Sequence, residues 1–201
     1  MGVALNRVTS PRSAVVLAAI EEANAQFVSL RRDLHQHPEL AFAEFRTADK
    51  VATLLREWGY QVSTGIGGTG VVGTLRRGQG DKSLGLRADM DALPIQEATG
   101  LPYASQNAGV MHACGHDGHT AILLAAARFL ALHGQFDGTL QLIFQPAEET
   151  GSGAGGDRSG SSRRRRSWPQ AASMARPLVL RTVALTPQSR RTVTNWRITS
   201  G

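Results

Sequence analysis

The sequence has one cysteine, Cys114, so no disulfide can form within the chain. A lone thiol is typical of a reducing compartment, and the cytoplasm is the expected location. No apolar run approaches the roughly 20 residues that span a bilayer. The apolar patch at residues 14–20 is followed directly by Glu21 and Glu22, with no small-residue cleavage site. This pattern indicates an amphipathic helix and not a signal peptide, so no membrane partner is expected.

Acidic residues are almost absent after Gly151. Up to that residue Lys and Arg number 12 against 15 Asp and Glu, whereas beyond it they number 10 against 1. The body is therefore −3 and the tail +9, and the formal net charge of +6 says nothing about what the body binds. Residues 155–201 are rich in Gly, Ser and Arg and have no sustained period. This composition predicts a basic, low-complexity, disordered tail.

The body of the chain contains helical patterns in which apolar residues recur every three or four positions. Pro38 and Gly59 act as stop signals after the first two of them. The third pattern is apolar nearly all round, as in a deeply buried helix. The predicted helices cover residues 13–34, 47–58 and 119–132.

Short apolar and β-branched runs between these helices predict strands at residues 71–75, 83–89 and 139–144. The first two are expected to be neighbours in one sheet. Helices that alternate with buried strands imply an α/β fold whose sheet is covered on both faces. We expect this domain to occupy residues 13–154.

Metal-binding residue types cluster in the segment MHACGHDGH, where His112, His116 and His119 surround Cys114. A thiolate and an imidazole two positions apart, on a loop before the third helix, suit Zn or a similar transition ion. The alternative is a buried free cysteine with histidines that cap the helix.

Carboxylates follow two of the predicted strands. Glu148 and Glu149 come after an apolar strand, and on an extended backbone one could bind a metal while the other acts as a general base. The alternative is a solvated turn. Asp89 and Asp91 end another strand on one side of it, either to orient a ligand histidine or to cap a turn.

Two further patterns carry no catalytic prediction. His35 and His37 precede Pro38, where a packing or capping role is favoured over metal ligation. The segment GIGGTG precedes a strand, whereas a dinucleotide fingerprint follows a strand and opens a helix, so a nucleotide role is discarded.

Five segments together resemble the hippurate hydrolase and indoleacetyl-amino-acid hydrolase group of metal-dependent amidohydrolases. In chain order they are RRDLHQHPELAFAEFRTA, GIGGTGVVG, LRADMDALPIQEATGLPYAS, MHACGHDGHTAILL and LIFQPAEETGSGA, and the match covers about residues 30–154. The resemblance implies the N-terminal part of a zinc-exopeptidase-like α/β catalytic domain.

The resemblance also implies a two-metal site, Mn or Zn, and a small-molecule N-acyl amino acid as substrate. Cys114, His116 and Glu149 would be metal ligands, and Asp91 an orienting residue close to the reaction. Glu148 would be the general base that deprotonates the attacking water and returns the proton to the leaving amine.

Departures from the family pattern follow this region. Members supply two more histidine ligands and a lid or dimerisation domain further along, but no histidine occurs after His133. We therefore expect that the remaining ligands could hold one ion in an open site but would hold two metals poorly, that activity is weak or absent, and that the domain for dimerisation is missing. A frameshift near Gly155 is the hypothesis for the abrupt change, and translation of the other frames tests it.

A different class of function would reside in the tail. Arg residues 163–166, with Trp168 nearby, could bind nucleic acid or an acidic membrane surface on a catalytically dead scaffold. The enzyme interpretation is preferred, and no nucleic-acid partner is expected for the body.

Overall fold

A computed structural model describes residues 11–151 and the backbone of Val179–Leu180; side chains are described for residues 14–151. The helices are α1 Pro11–Gln36, α2 Phe45–Glu57 and α3 His116–His133. The strands are β1 Gln61–Ile66, β2 Gly70–Arg77, β3 Ser83–Asp89, β4 Gly138–Gln145 and β5 Val179–Leu180. The predicted tail, with its arginine cluster, otherwise lies outside the described residues.

Helix α3 begins three residues earlier than predicted. Gly115 stands at its N-cap with φ +83°, a left-handed conformation that glycine adopts without steric cost. His116 is therefore the first residue of the helix and is not in the preceding loop. Because a rigid helix carries His116 and His119, their backbone positions are set by the packing of α3.

The sheet has the strand order β1-β2-β4-β3-β5. The prediction that β2 and β3 are neighbours was wrong, because β4 lies between them, antiparallel to β2 and parallel to β3. Strand β4 takes this central place since its inward residues Leu140, Leu142 and Phe144 are all buried. Strand β1 was not predicted, because it is mostly exposed and lacks an alternating apolar pattern.

The hydrophobic core lies between the sheet and helices α2 and α3. Val51 and Leu55 of α2 and Leu124 of α3 are completely buried against the inward face of β4. Helix α1 packs on α3, and Phe27 meets Trp58 edge to face. Among the described residues the helices occupy one face of the sheet, so the expected cover on both faces is not seen there. None of these helices is long and apolar enough to cross a membrane.

Tyr60 joins the two core helices, because its buried hydroxyl donates a hydrogen bond of 2.9 Å to the carbonyl oxygen of Ala127. Burial raises the pKa of Tyr60 to about 12, although Arg77 acts in the opposite direction. Between pH 10 and pH 12 the unfolded chain loses this proton while the native chain keeps it. The free energy of unfolding therefore falls as the pH rises, by roughly 3 kcal/mol at the limit.

We expect Tyr60→Phe to lower the free energy of unfolding by about 0.5–1.5 kcal/mol at neutral pH, through loss of this hydrogen bond. The variant should also lose most of the alkaline decline between pH 10 and pH 12. Urea unfolding of both proteins from pH 7 to pH 12 measures the two effects. Equal alkaline declines in the two proteins would show that Tyr60 is not the group responsible.

Candidate metal centre

The candidate site lies at the carboxyl ends of the parallel strands β3 and β4. Asp89 pairs in register with Gln145, so the segments that follow the two strands leave the sheet at the same edge. The N-terminus of α3 reaches this edge as well, where the Thr120 hydroxyl donates to the carbonyl oxygen of Asp89. Side chains that are distant in sequence therefore meet where open α/β sheets place their ligands.

Three of the residues predicted as metal ligands come together. The donor atoms of Cys114, His116 and Glu149 lie within 4.8 Å of one another, and His116 Nε2 is 3.6 Å from Glu149 Oε1. A tetrahedral ion with bonds of about 2.0–2.3 Å needs donor atoms about 3.5 Å apart. Thiol, imidazole and carboxylate are also the donor types of Zn and related ions, so these residues fit a metal.

Asp91 contacts the ring of His116 through both its backbone and its side chain. The Nδ1–H group of His116 donates to the backbone oxygen of Asp91 at 2.8 Å, and the Asp91 carboxylate is 3.2 Å away. Since a carbonyl oxygen cannot donate, Nδ1 carries the proton of the neutral ring, and in that form the lone pair of Nε2 faces the site. A carboxylate or carbonyl behind a ligand histidine fixes its tautomer and ring orientation in metal sites.

The pKa values of this pair follow from the same contact. Burial alone lowers the pKa of His116, but the hydrogen bond to Asp91 and the charges of Asp89 and Asp91 outweigh it and raise the value. Burial alone raises the pKa of Asp91, but His116 and the backbone N–H groups of Glu149 and Glu148 outweigh it and lower the value. Asp91 is therefore held ionised by the groups it contacts.

A second group of donors consists of Asp89, His116 and His119. His119 Nδ1 lies 2.7 Å from Asp89 Oδ1, and His116 Nε2 lies 3.7 Å from the same oxygen. The lone pair of His116 Nε2 can bind one ion only. Among the described residues, the two groups are thus alternative donor sets around one nitrogen and not two independent sites.

The Cys114 side chain is exposed and carries a proton in the metal-free protein. Its pKa is raised to about 11, first by the hydrogen bond it makes to Glu149, then by desolvation and by the charges of Glu149, Glu148 and Asp89. A bound cation reverses this balance, because the thiolate is the form that binds metals.

Glu148 and Glu149 lie in a turn, so the prediction of an extended backbone was wrong. Ala147 has φ +50°, and the N–H group of Gly151 donates to the carbonyl oxygen of Glu148. The Glu148 carboxylate lies outside both donor groups and is 4.0 Å from Arg87 Nη2. The carboxylates of Glu148 and Glu149 still lie apart, but because of the turn and not because of the pleat of a strand.

Several histidines of the sequence are not part of the donor groups. His35 is buried, with Nδ1 2.8 Å from Asp117 and Nε2 3.3 Å from Glu97, and the prediction of a structural role is confirmed. His37 contacts the carbonyl oxygen of Asp33 within α1. His112 is buried without a hydrogen-bond partner for either nitrogen.

Glu44 was missed by sequence reasoning. It is completely buried, and its carboxylate accepts a hydrogen bond from the N–H group of Ala147, the residue before the Glu148 and Glu149 pair. No local pattern reveals this contact, because an acidic residue at the start of α2 is typical of helix capping. Position in the fold alone brings it to the site.

An α/β sheet with thiol, imidazole and carboxylate donors at the ends of two parallel strands has the donor types and the placement of a divalent metal centre. Residues 85–167 match the model of Peptidase family M20/M25/M40. Over this segment the chain resembles that family.

Curated relatives and solved structures agree with this assignment. Hippurate hydrolase of Campylobacter jejuni is 54% identical over 139 residues, which cover 69% of this chain and 36% of the relative. An IAA-amino acid hydrolase of Arabidopsis thaliana is 43% identical over 145 residues, which cover 72% and 33%. A dinuclear metal-binding peptidase of the M20 family from Bacillus subtilis superposes with a TM-score of 0.63 at 43% identity, over 67% of this chain and 38% of that one. The chain spans about a third of the length of the curated relatives it matches.

Proposed function

We propose that this chain carries the metal-binding part of an amidohydrolase that cleaves the amide bond of N-acyl amino acids. The observation that supports it most is the approach of Cys114, His116 and Glu149 to within 4.8 Å at the ends of β3 and β4. The substrate class comes from the names of similar proteins, which act on hippurate, IAA-amino acid conjugates and N-acetylcysteine. In each of these compounds an acyl group is joined to the nitrogen of an amino acid.

Amide hydrolysis needs an activated carbonyl carbon, a base for the attacking water and an acid for the leaving amine. A divalent ion, Mn or Zn, would supply Lewis acidity and lower the pKa of water. Cys114, His116 and Glu149 would hold the ion, and Asp91 would keep Nε2 of His116 directed towards it. Glu148, outside the donor groups, is free to take a proton from water and pass it to the amine.

Arg87 is suited to hold Glu148 in place for this transfer. Its guanidinium lies 3.1 Å from Asp89 and 4.0 Å from Glu148, and its Nε–H group donates to Gln145. The guanidinium is thus fixed at the ends of both parallel strands. A carboxylate that faces it keeps one preferred orientation, which general base catalysis requires.

The neighbouring carboxylates provide a matched test. We expect Glu148→Gln to retain Zn²⁺ affinity but to lower the rate of glycine release from hippurate about 10²- to 10⁴-fold, because a general base is lost. Glu149→Gln should lower both the Zn²⁺ affinity and the rate of glycine release, because it removes a ligand. Isothermal titration with Zn²⁺ and an amino-acid release assay measure the two quantities.

The contrast between these variants decides the roles. Loss of Zn²⁺ affinity in Glu148→Gln, or an unchanged rate there, would contradict the proposed base.

Because no histidine follows His133, we expect the turnover of the wild-type chain to be about 10²-fold or more below that of a full-length relative. A reducing cytoplasm, which keeps thiols such as Cys114 available, is the location we propose.

A further inference from the structure

The turn that carries Glu148 and Glu149 begins with a residue in an unfavourable backbone conformation. Ala147 is completely buried and has φ +50°, in the left-handed region that disfavours residues with a Cβ atom. Glycine adopts this conformation without cost, but the chain has alanine here. Such a conformation persists only where the surrounding structure holds it, and it occurs frequently at functional sites.

Glu44 supplies a contact that holds it. The Ala147 N–H group donates to Glu44 Oε1 at 2.8 Å, and the Thr69 hydroxyl donates to Glu44 Oε2. Thr69 lies between β1 and β2 and is buried, so the carboxylate is fixed from both sides. The backbone of Phe42, which also has a positive φ of 62°, acts to lower the pKa of this carboxylate, against the effect of burial.

The other end of the turn is held in the same way. The N–H group of Glu149 donates to Asp91 Oδ2 at 3.0 Å, and Asp91 is buried. Two buried carboxylates from different parts of the chain therefore accept hydrogen bonds from backbone N–H groups at the two ends of the turn. A third bond, from the Thr150 hydroxyl to the carbonyl oxygen of Ala147, closes the turn internally.

We propose that Glu44 is a positioning residue, which fixes the left-handed turn at Ala147 and so sets the direction of the Glu148 and Glu149 side chains. The consequence for metal binding rests on the proposed function, in which Glu149 is a ligand. The consequence for the backbone conformation of the turn does not rest on the proposed function. A carboxylate suits this task because each oxygen accepts without donating, whereas an amide in its place would turn one acceptor into a donor.

The test compares Glu44→Gln with Glu39→Gln. Glu39 is a matched control, because its carboxylate also accepts two backbone N–H groups at the start of α2, those of Arg46 and Thr47. We expect Glu44→Gln to lower Zn²⁺ affinity about tenfold, as loss of an outer contact in a metal site does. Amide hydrogen exchange at Ala147 and Glu149 in the metal-free protein should accelerate. Glu39→Gln should change neither quantity.

The possible outcomes distinguish failure of the positioning role of Glu44 from failure of the proposed function. Wild-type exchange at the turn in folded Glu44→Gln, or equal acceleration in Glu39→Gln, overturns the positioning role. If the wild-type chain binds no Zn²⁺, the proposed function fails, and hydrogen exchange alone decides the role of Glu44. Should Glu44→Gln not fold, Thr69→Val is expected to accelerate exchange at Ala147 and Thr69→Ser to restore it, and the absence of that difference also overturns the proposal.

Discussion

Replacement of His116 by alanine is expected to lower the affinity of the purified chain for Zn²⁺ by more than about 100-fold. Loss of a residue that only contacts a metal ligand lowers metal affinity by up to about 100-fold. His116 is proposed as a direct ligand shared by both donor groups, so its loss should cost more. No other described histidine has Asp91 behind it to take its place. Isothermal titration with Zn²⁺, with circular dichroism to confirm folding, measures the effect.

His133→Ala is the control for this substitution. His133 is exposed and lies in the last turn of the same helix, at the opposite end from the site. Its removal should leave Zn²⁺ affinity within about twofold of wild type, since surface changes away from a site have small effects. Retention of tight Zn²⁺ binding by folded His116→Ala would refute the assignment of the metal centre.

Phe144→Ala is expected to lower the free energy of unfolding by about 3–5 kcal/mol, through lost burial and the cavity left in the core. Phe144 is completely buried on the central strand β4, in contact with the core formed by α2 and α3. Domains of this kind have about 5–15 kcal/mol of stability, so this one change removes a large part of it. Urea unfolding followed by circular dichroism gives the value.

Phe45→Ala is the control, because it makes the same truncation of a phenylalanine at the surface. The Phe45 side chain is 69% exposed at the start of α2, so its truncation should change the free energy of unfolding by about 0.5 kcal/mol or less. Similar losses for the two variants would contradict the description of β4 as the centre of the core.

Much of the fold could be predicted because it depends on local patterns. The helices and three strands follow from apolar periodicity and from stop signals such as Pro38 and Gly59. The strand order could not be predicted, because β4 enters between β2 and β3 through contacts made far along the chain. Strand β1 was missed because an exposed edge strand needs no apolar alternation.

The candidate site, like the fold, could be predicted only in part from the sequence. Cys114 and His116 share one short segment, so their spacing alone indicates a metal. The turn at Glu148 and Glu149 was mistaken for extended backbone, because its conformation depends on Glu44, 103 residues away from Ala147. Residue type predicts which atoms can bind a metal, but not the backbone that directs them.

By itself, the sequence determined the α/β class, the resemblance to a family and the donor types, because periodicity, spacing and motif order are properties of neighbouring residues. Only the tertiary structure decided which donor atoms lie close together and which side chains contact them. The free Nε2 of His116 depends on Asp91, 25 residues earlier, and the left-handed Ala147 depends on Glu44. Such contacts form only when packing of the core brings distant strand ends and helix ends to one edge of the sheet.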